Sequence, residues 1–152
     1  MGNPREPVIL VAEDDLDDWL FLREALEESP HEARLEFVED GEELLSYLRR
    51  EGPFADPARF PDPDIILLDL NMPKKDGREA LADLKGDEKL RNIPVVVFST
   101  SQEENDVLLT YQLKAASFIA KPMTFGGWLS VIAALFQYWS KVASLPEGHS
   151  SS

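Results

Sequence analysis

The sequence predicts an α/β fold in which a doubly wound parallel sheet of five strands carries helices on both faces. Short apolar, β-rich runs recur five times, and segments of helical period lie between them. The runs are continuously apolar rather than alternating, as in strands covered on both sides. A length of 152 residues is enough for one domain with a core of its own and not for two.

The first run, PVILVA (7–12), opens directly onto Glu13, Asp14 and Asp15. Behind it Trp19, Leu22, Ala25 and Leu26 fall at i, i+3, i+6 and i+7, one face of a helix. The second run, RLEFVE (34–39), leads to a stripe of Leu44, Leu45 and Leu48. The segment REGPFADPARFPDPD (50–64), with four prolines and one glycine, then breaks the rhythm. Because the third run, DIILLD (64–69), follows at once, this segment is expected to be an ordered surface excursion rather than a linker. Ala80, Leu81 and Leu84 form the third stripe, and PVVVFS (94–99) the fourth strand. Val107, Leu108 and Tyr111 give the fourth helix its expected core face, before SFIA (117–120) and a last helix from about Thr124 to Leu145. The domain is expected to span 7–145, with 1–6 and the polar end of the chain, 146–152, as flexible termini.

Composition narrows the function classes. Apolar residues make up 43% and charged residues 29%, a globular balance. The N-terminus MGNPREPVIL lacks the basic start and apolar run of a signal peptide, and cysteine is absent. A disulfide framework, a thiol nucleophile and a thiolate metal site are therefore excluded, and a cytoplasmic location is expected. The net charge is −14, from 15 basic and 29 acidic residues, and no basic stripe offers nucleic acid a counterion-displacing surface. Such acidity serves either solubility or the holding of a cation.

In a parallel α/β sheet, ligands bind outside the carboxyl ends of the strands. There strand 1 delivers Glu13, Asp14 and Asp15, strand 3 Asp69 with Asn71 beyond it, strand 4 Ser99, Thr100 and Ser101, and strand 5 Lys121. One acidic residue of the first trio is expected to cap the helix that follows. Three at one helix start, facing a fourth across the sheet, exceed what a cap requires. Carboxylates this close resist ionising together, and a hard divalent cation with oxygen ligands removes the conflict. Neither His31 nor His149 lies near a strand end, which argues against zinc. A carboxylate beside Mg²⁺ can act as nucleophile towards phosphorus, giving an acyl phosphate, with a lysine and a hydroxyl to meet the phosphoryl oxygens. Pro122 after Lys121 points to a constrained turn, with a cis bond aiming the lysine inward.

With VILVAEDD, LLDLNMPKKDG, VVVFSTS and FIAKP in this order, residues 7–145 resemble the receiver domain of bacterial two-component response regulators. LLDLNMPKKDGREAL, FSTSQEENDV, the proline-rich excursion and the aromatic last helix are most similar to single-domain regulators paired with bacterial phytochromes. The resemblance implies a flavodoxin-like (βα)5 fold with strand order 2-1-3-4-5. It implies a phosphoryl group taken from a histidine kinase, here a bacteriophytochrome, onto Asp69, with Lys121 binding the phosphate. Glu13, Asp14, Asp69 and the backbone carbonyl of Asn71 would hold Mg²⁺. Ser99 and Phe118 take the two switch positions. Glu13 replaces the commoner Asp, which lengthens its reach, and Phe118 has no hydroxyl, so it would switch by packing alone.

No output domain is expected after the last helix, so the signal would leave through protein contacts, including a downstream phosphotransfer protein. From Thr124 to Leu145 the only charge is Lys141. Phe125, Trp128, Leu129, Ile132, Phe136 and Trp139 form one apolar stripe, and Val131, Leu135, Tyr138, Val142 and Leu145 a second. One helix on a sheet needs one stripe, so the second predicts a homodimer through Trp128, Val131, Leu135, Tyr138, Trp139 and Val142. A membrane span of this length would have to accept Gly126, Gly127, Ser130, Gln137, Ser140 and Lys141, and is not expected. Two other readings stand beside the receiver. An aspartyl-phosphate phosphatase of haloacid-dehalogenase type would need an acid where Asn71 stands, and a receiver that only binds partners would not need its site filled.

Overall fold

The computed structural model describes residues 6–72, 74–100 and 104–143, without the side chains of 104, 105 and 141–143. Pro73, Ser101, Leu145 and His149, and the side chain of Val142, lie outside the described residues. Five strands, β1 (Val8–Ala12), β2 (Arg34–Val38), β3 (Ile65–Asp69), β4 (Val95–Ser99) and β5 (Ser117–Ala120), form one parallel sheet of order β2-β1-β3-β4-β5. Between and after them run α1 (Leu16–Glu28), α2 (Gly41–Leu48), α3 (Gly77–Gly86), α4 (Glu104–Gln112) and α5 (Phe125–Ala143). This is the flavodoxin-like topology expected from the sequence.

The period of two in each strand divides the core. Leu10, Ala12, Ile66, Leu68, Val95 and Val97 face the side of Leu44, Ala80, Leu81 and Leu84 from α2 and α3. Ile9, Val11, Ile65, Leu67, Val96 and Phe98 face the side of Leu22, Ala25, Trp128, Val131, Ile132 and Leu135 from α1 and α5. β1, β3 and β4 are buried along their whole lengths, which holds their carboxyl ends rigid. Gly77 starts α3 against β3 so closely that a Cβ there would stand 2.2 Å from the carbonyl oxygen of Asp69. Only glycine allows that approach.

The proline-rich excursion is ordered, as expected. It contains a 3-10 turn at Gly52–Phe54, and Phe54 and Phe60 pack on the Tyr47 ring at 5.2 and 5.7 Å. Tyr47 donates to the Pro61 carbonyl at 2.7 Å, and Arg50 bonds the Phe60 carbonyl and the Asp62 carboxylate.

Three expectations need correction. α4 does not turn its expected stripe to the core: Val107 is half-buried, Leu108 and Tyr111 are 50% and 59% exposed, and Asp106 and Thr110 are buried instead. A polar face can turn inward here because Arg78 neutralises Asp106 and the Thr110 hydroxyl donates to the Asp106 carbonyl. In α5, Trp128, Val131 and Leu135 lie in the chain's own core and cannot form a surface for a second copy. The helix packs on α1 as well as on the sheet, so residues of both stripes are used internally: Trp128 meets Phe21 and Phe98, Phe136 stacks on His31, and Val131 and Leu135 are buried. Tyr138 and Trp139 remain half-buried at the margin of that core. Among the described residues no peptide bond is cis, so the turn at Lys121–Pro122 is trans. Among the same residues no helix is long and apolar enough to cross a membrane.

Candidate phosphoryl-acceptor site

The site is assembled where β1, β3, β4 and β5 end. β1 stops at Glu13, whose N–H donates to the Val38 carbonyl of β2 at 2.9 Å. Its side chain is fully buried, with Oε2 accepting from the Asp15 N–H at 2.9 Å. Asp15 is the expected cap: it accepts from the Asp17 N–H at 2.9 Å and starts α1, leaving Asp14 exposed beside it. The Trp19 indole N–H donates to the Glu13 carbonyl at 2.6 Å, and its ring stacks on Phe37 at 4.6 Å. The first turn of α1 is thereby tied to the end of β1.

Asp69, the last residue of β3, is 2% exposed. Its Oδ1 accepts from the Asn71 N–H at 3.0 Å, and Oδ2 meets Lys121 Nζ at 3.1 Å. Lys121 also stands 2.5 Å from Glu13 Oε1 and 2.7 Å from Asp18 Oδ2, with Nζ 5.2 Å from the Phe98 ring centroid. The Glu13 contact is an ion pair outside hydrogen-bond alignment, so Oε1 remains a buried oxygen without a hydrogen bond. Asp18 did not emerge from the sequence. Its signal was its place one turn after the acidic trio, on the helix face turned to the strand ends.

Burial dominates the electrostatics. It pushes Glu13 up to about 8, helped by the charge of Asp69 and opposed by Lys121. Burial likewise raises Asp69, against the Asn71 N–H and the Lys121 charge. For Lys121 burial works against the charge, but Asp18, Glu13 and Asp69 outweigh it and hold the ammonium above its usual range. One lysine thus faces three carboxyl groups, and ionising all three would leave the pocket a surplus of negative charge.

That surplus fits a cation. Glu13, Asp14 and Asp69 each offer a carboxylate oxygen, all within 4.8 Å of one another. An all-oxygen donor set with an exposed member suits a hard divalent ion that keeps water ligands. Ser99 is buried at the end of β4, where its Oγ accepts from Asn71 Nδ2 at 3.0 Å. Asn71 Oδ1 faces Arg78 Nη2 at 3.5 Å. A carboxamide does not release and recover a proton as a carboxylic acid does, so Asn71 cannot be the general acid a haloacid-dehalogenase phosphatase would need. Phe118 is half-buried against the core on the α2–α3 side. The structure therefore brings Glu13, Asp14, Asp69, Asn71, Ser99 and Lys121 to one edge, and sets Phe118 behind it.

Known proteins show the same arrangement of chain. The response regulator receiver domain matches residues 9–133. Response regulator Rcp1 of Synechocystis sp. is 35% identical over 145 residues, covering 95% of this chain and 96% of its own length. Its Mn²⁺-bound crystal structure superposes with a TM-score of 0.79 at 35% identity, over 92% of this chain and 99% of that one. The phosphorylated cyanobacterial phytochrome response regulator RcpA superposes with a TM-score of 0.83 at 39% identity, over 93% and 99% of the two chains. A response regulator in red light signaling of R. palustris gives 0.83 at 38% identity, over 92% and 98%. In fold, in family match and in the chemistry gathered at its strand ends, this chain belongs to the response regulator receiver domains, close to the phytochrome response regulators Rcp1 and RcpA.

Proposed function

We propose that Asp69 accepts a phosphoryl group from a phosphohistidine of a sensor histidine kinase, a bacteriophytochrome in kind, and that the phosphorylated chain signals through protein contacts. The observation that carries this is the pairing of a buried strand-end carboxylate with Lys121 at 3.1 Å and with two further carboxylates within 4.8 Å. The kinship with Rcp1 and RcpA supports the choice of kinase.

An Asp69 carboxylate oxygen attacks phosphorus, the P–O bond forms, and the P–N bond breaks. The imidazole leaves with the electron pair and takes up a proton. Lys121 neutralises charge on the incoming phosphoryl oxygens, and the Asn71 N–H keeps the carboxylate turned towards the opening. Mg²⁺ held by Glu13, Asp14, Asp69 and the Asn71 carbonyl would screen the carboxylates and the phosphoryl oxygens when bound. Ser99 donates to the phosphoryl group and Phe118 repacks as it moves, which remodels the face around β5. Water attack on the acyl phosphate resets the chain, so the turnover is self-dephosphorylation rather than catalysis on a separate substrate.

Self-association through α5 belongs to this reading only at its margin, where Tyr138 and Trp139 stay half-buried. Passage of the phosphoryl group to a phosphotransfer protein is its continuation. The test is intact mass after incubation with acetyl phosphate, with Mg²⁺ or with chelator, for wild type and Asp69→Asn. One added phosphoryl group that needs Mg²⁺ and is lost in Asp69→Asn is expected. No transfer from acetyl phosphate or from a phytochrome histidine kinase would leave a receiver that only binds partners.

A further inference from the structure

Arg78, on the first turn of α3, joins the acceptor site to α4. Its Nε and Nη2 grip Asp106 at 2.7 Å each, a two-pronged pair with a carboxylate that is only 6% exposed. Nη1 lies 3.3 Å from the Leu70 carbonyl, directly after Asp69, and 3.7 Å from Asp76. Nη2 also faces Asn71 Oδ1 at 3.5 Å, and Asn71 Nδ2 donates to Ser99 Oγ at 3.0 Å.

The donor inventory makes this chain directional. A guanidinium has only donors, so the amide edge turned to it must be the carbonyl oxygen, and the edge turned to Ser99 must be the NH₂ group. Ser99 must then accept on that side, and its own O–H is directed away from Asn71. A hydroxyl that is to meet a phosphoryl oxygen has to be a donor towards it. Were the amide reversed, Asn71 Oδ1 would compete for the Ser99 proton. Asp106 matters because it fixes the guanidinium in its plane.

We propose that Arg78 is a positioning residue for the switch hydroxyl: held by Asp106, it fixes the orientation of the Asn71 amide and so makes Ser99 a donor towards the phosphoryl pocket. This rests on the phospho-acceptor reading above. It adds a residue that touches neither metal nor phosphate, and it ties α4 to the polarity of the site.

The test uses the full chain, Mg²⁺ and beryllofluoride as the phosphoryl mimic. Wild type, Arg78→Met with Asp106→Leu (so that no buried carboxylate is orphaned), Ser99→Ala and the combination of all three are each titrated. At saturating Mg²⁺, beryllofluoride affinity should fall about tenfold in the Arg78 variant, the scale of one hydrogen bond to a charged group. Ser99→Ala should lose a similar factor and the combination no more, while Mg²⁺ affinity stays within about twofold by this argument. In ¹⁹F spectra, the fluorine that accepts from Ser99 should shift in the Arg78 variant. Arg78→Lys keeps charge against Asp106 but is one atom shorter and has no planar fork to fix an N–H on Asn71, and should show the same loss if the paired variant fails to fold. Wild-type affinity in the Arg78 variants, or a full extra loss on the Ser99→Ala background, would overturn the assignment and leave Arg78 a structural clamp. Failure of wild type itself to bind Mg²⁺ and beryllofluoride would instead overturn the acceptor reading beneath it.

Discussion

At the scale of the residue, Lys121 decides how the site stays folded without a metal. Its ammonium contacts Glu13, Asp18 and Asp69, and the first and last of these are almost wholly buried. Removing one partner of a buried pair leaves an uncompensated charge, a loss of about 3–5 kcal/mol. Lys121→Met is therefore expected to lower metal-free stability by that amount, read from urea unfolding. The loss should shrink when Mg²⁺ is added, because the cation answers the same carboxylates. An equal loss with and without Mg²⁺ would mean that Lys121 acts by packing its stem rather than by its charge. The lysine was legible as a member of the site because it ends a strand on the same edge as Asp69. Its tie to Asp18 was not, because sequence spacing gives no distance between a helix turn and a strand 103 residues away.

At the scale of the element, α2 and the excursion after it show how a loop rich in proline is kept in place. Tyr47 is 2% exposed, its hydroxyl bonds the Pro61 carbonyl, and burial pushes its pKa up to about 12. The sign follows from proton counting. Between pH 10 and 12 the unfolded chain loses the phenol proton while the folded chain keeps it, so the folded state binds more protons and stability falls as pH rises. A raised pKa of this size corresponds to about 2–3 kcal/mol lost across that range. Tyr47→Phe should remove this part of the alkaline dependence, at a cost of about 1 kcal/mol near neutrality for the missing hydrogen bond. Unfolding curves at pH 8, 10 and 11.5 for both chains separate the two effects. An unchanged alkaline slope in Tyr47→Phe would assign it to other groups. The excursion was readable as ordered from how soon β3 follows it. Its anchor was not, because Tyr47 interrupts a leucine stripe and carries no local sign of a partner 14 residues on.

At the scale of the whole molecule, what the sequence made legible was whatever depends on local period. Five apolar runs gave the strands, and the rule that ligands sit beyond strand ends placed Glu13, Asp14, Asp69, Asn71, Ser99 and Lys121 together. What it concealed depends on pairing between elements. α5 packs on both the sheet and α1, so counting one neighbour per helix put the core residues Trp128, Val131 and Leu135 into the expected interface, while Tyr138 and Trp139 stay half-buried at its margin. α4 turns Asp106 inward because Arg78 waits 28 residues away in the chain. The same division governs the metal. Glu13 and Asp69 are buried and shape the folded state, whereas Asp14 is exposed and, under the proposed function, would contribute little besides a ligand oxygen. A cation that binds only the folded chain stabilises it by about 2.7 kcal/mol at one hundred times its dissociation constant. Mg²⁺ should thus raise the melting temperature of wild type by several degrees. Asp14→Ala should leave the metal-free melting temperature almost unchanged, as exposed substitutions typically shift stability by about 0.5 kcal/mol or less. It should also remove most of the Mg²⁺-dependent rise. If the rise persisted in Asp14→Ala, the ion would be held by Glu13, Asp69 and the Asn71 carbonyl without it, and the exposed member of the trio would have no part in the site.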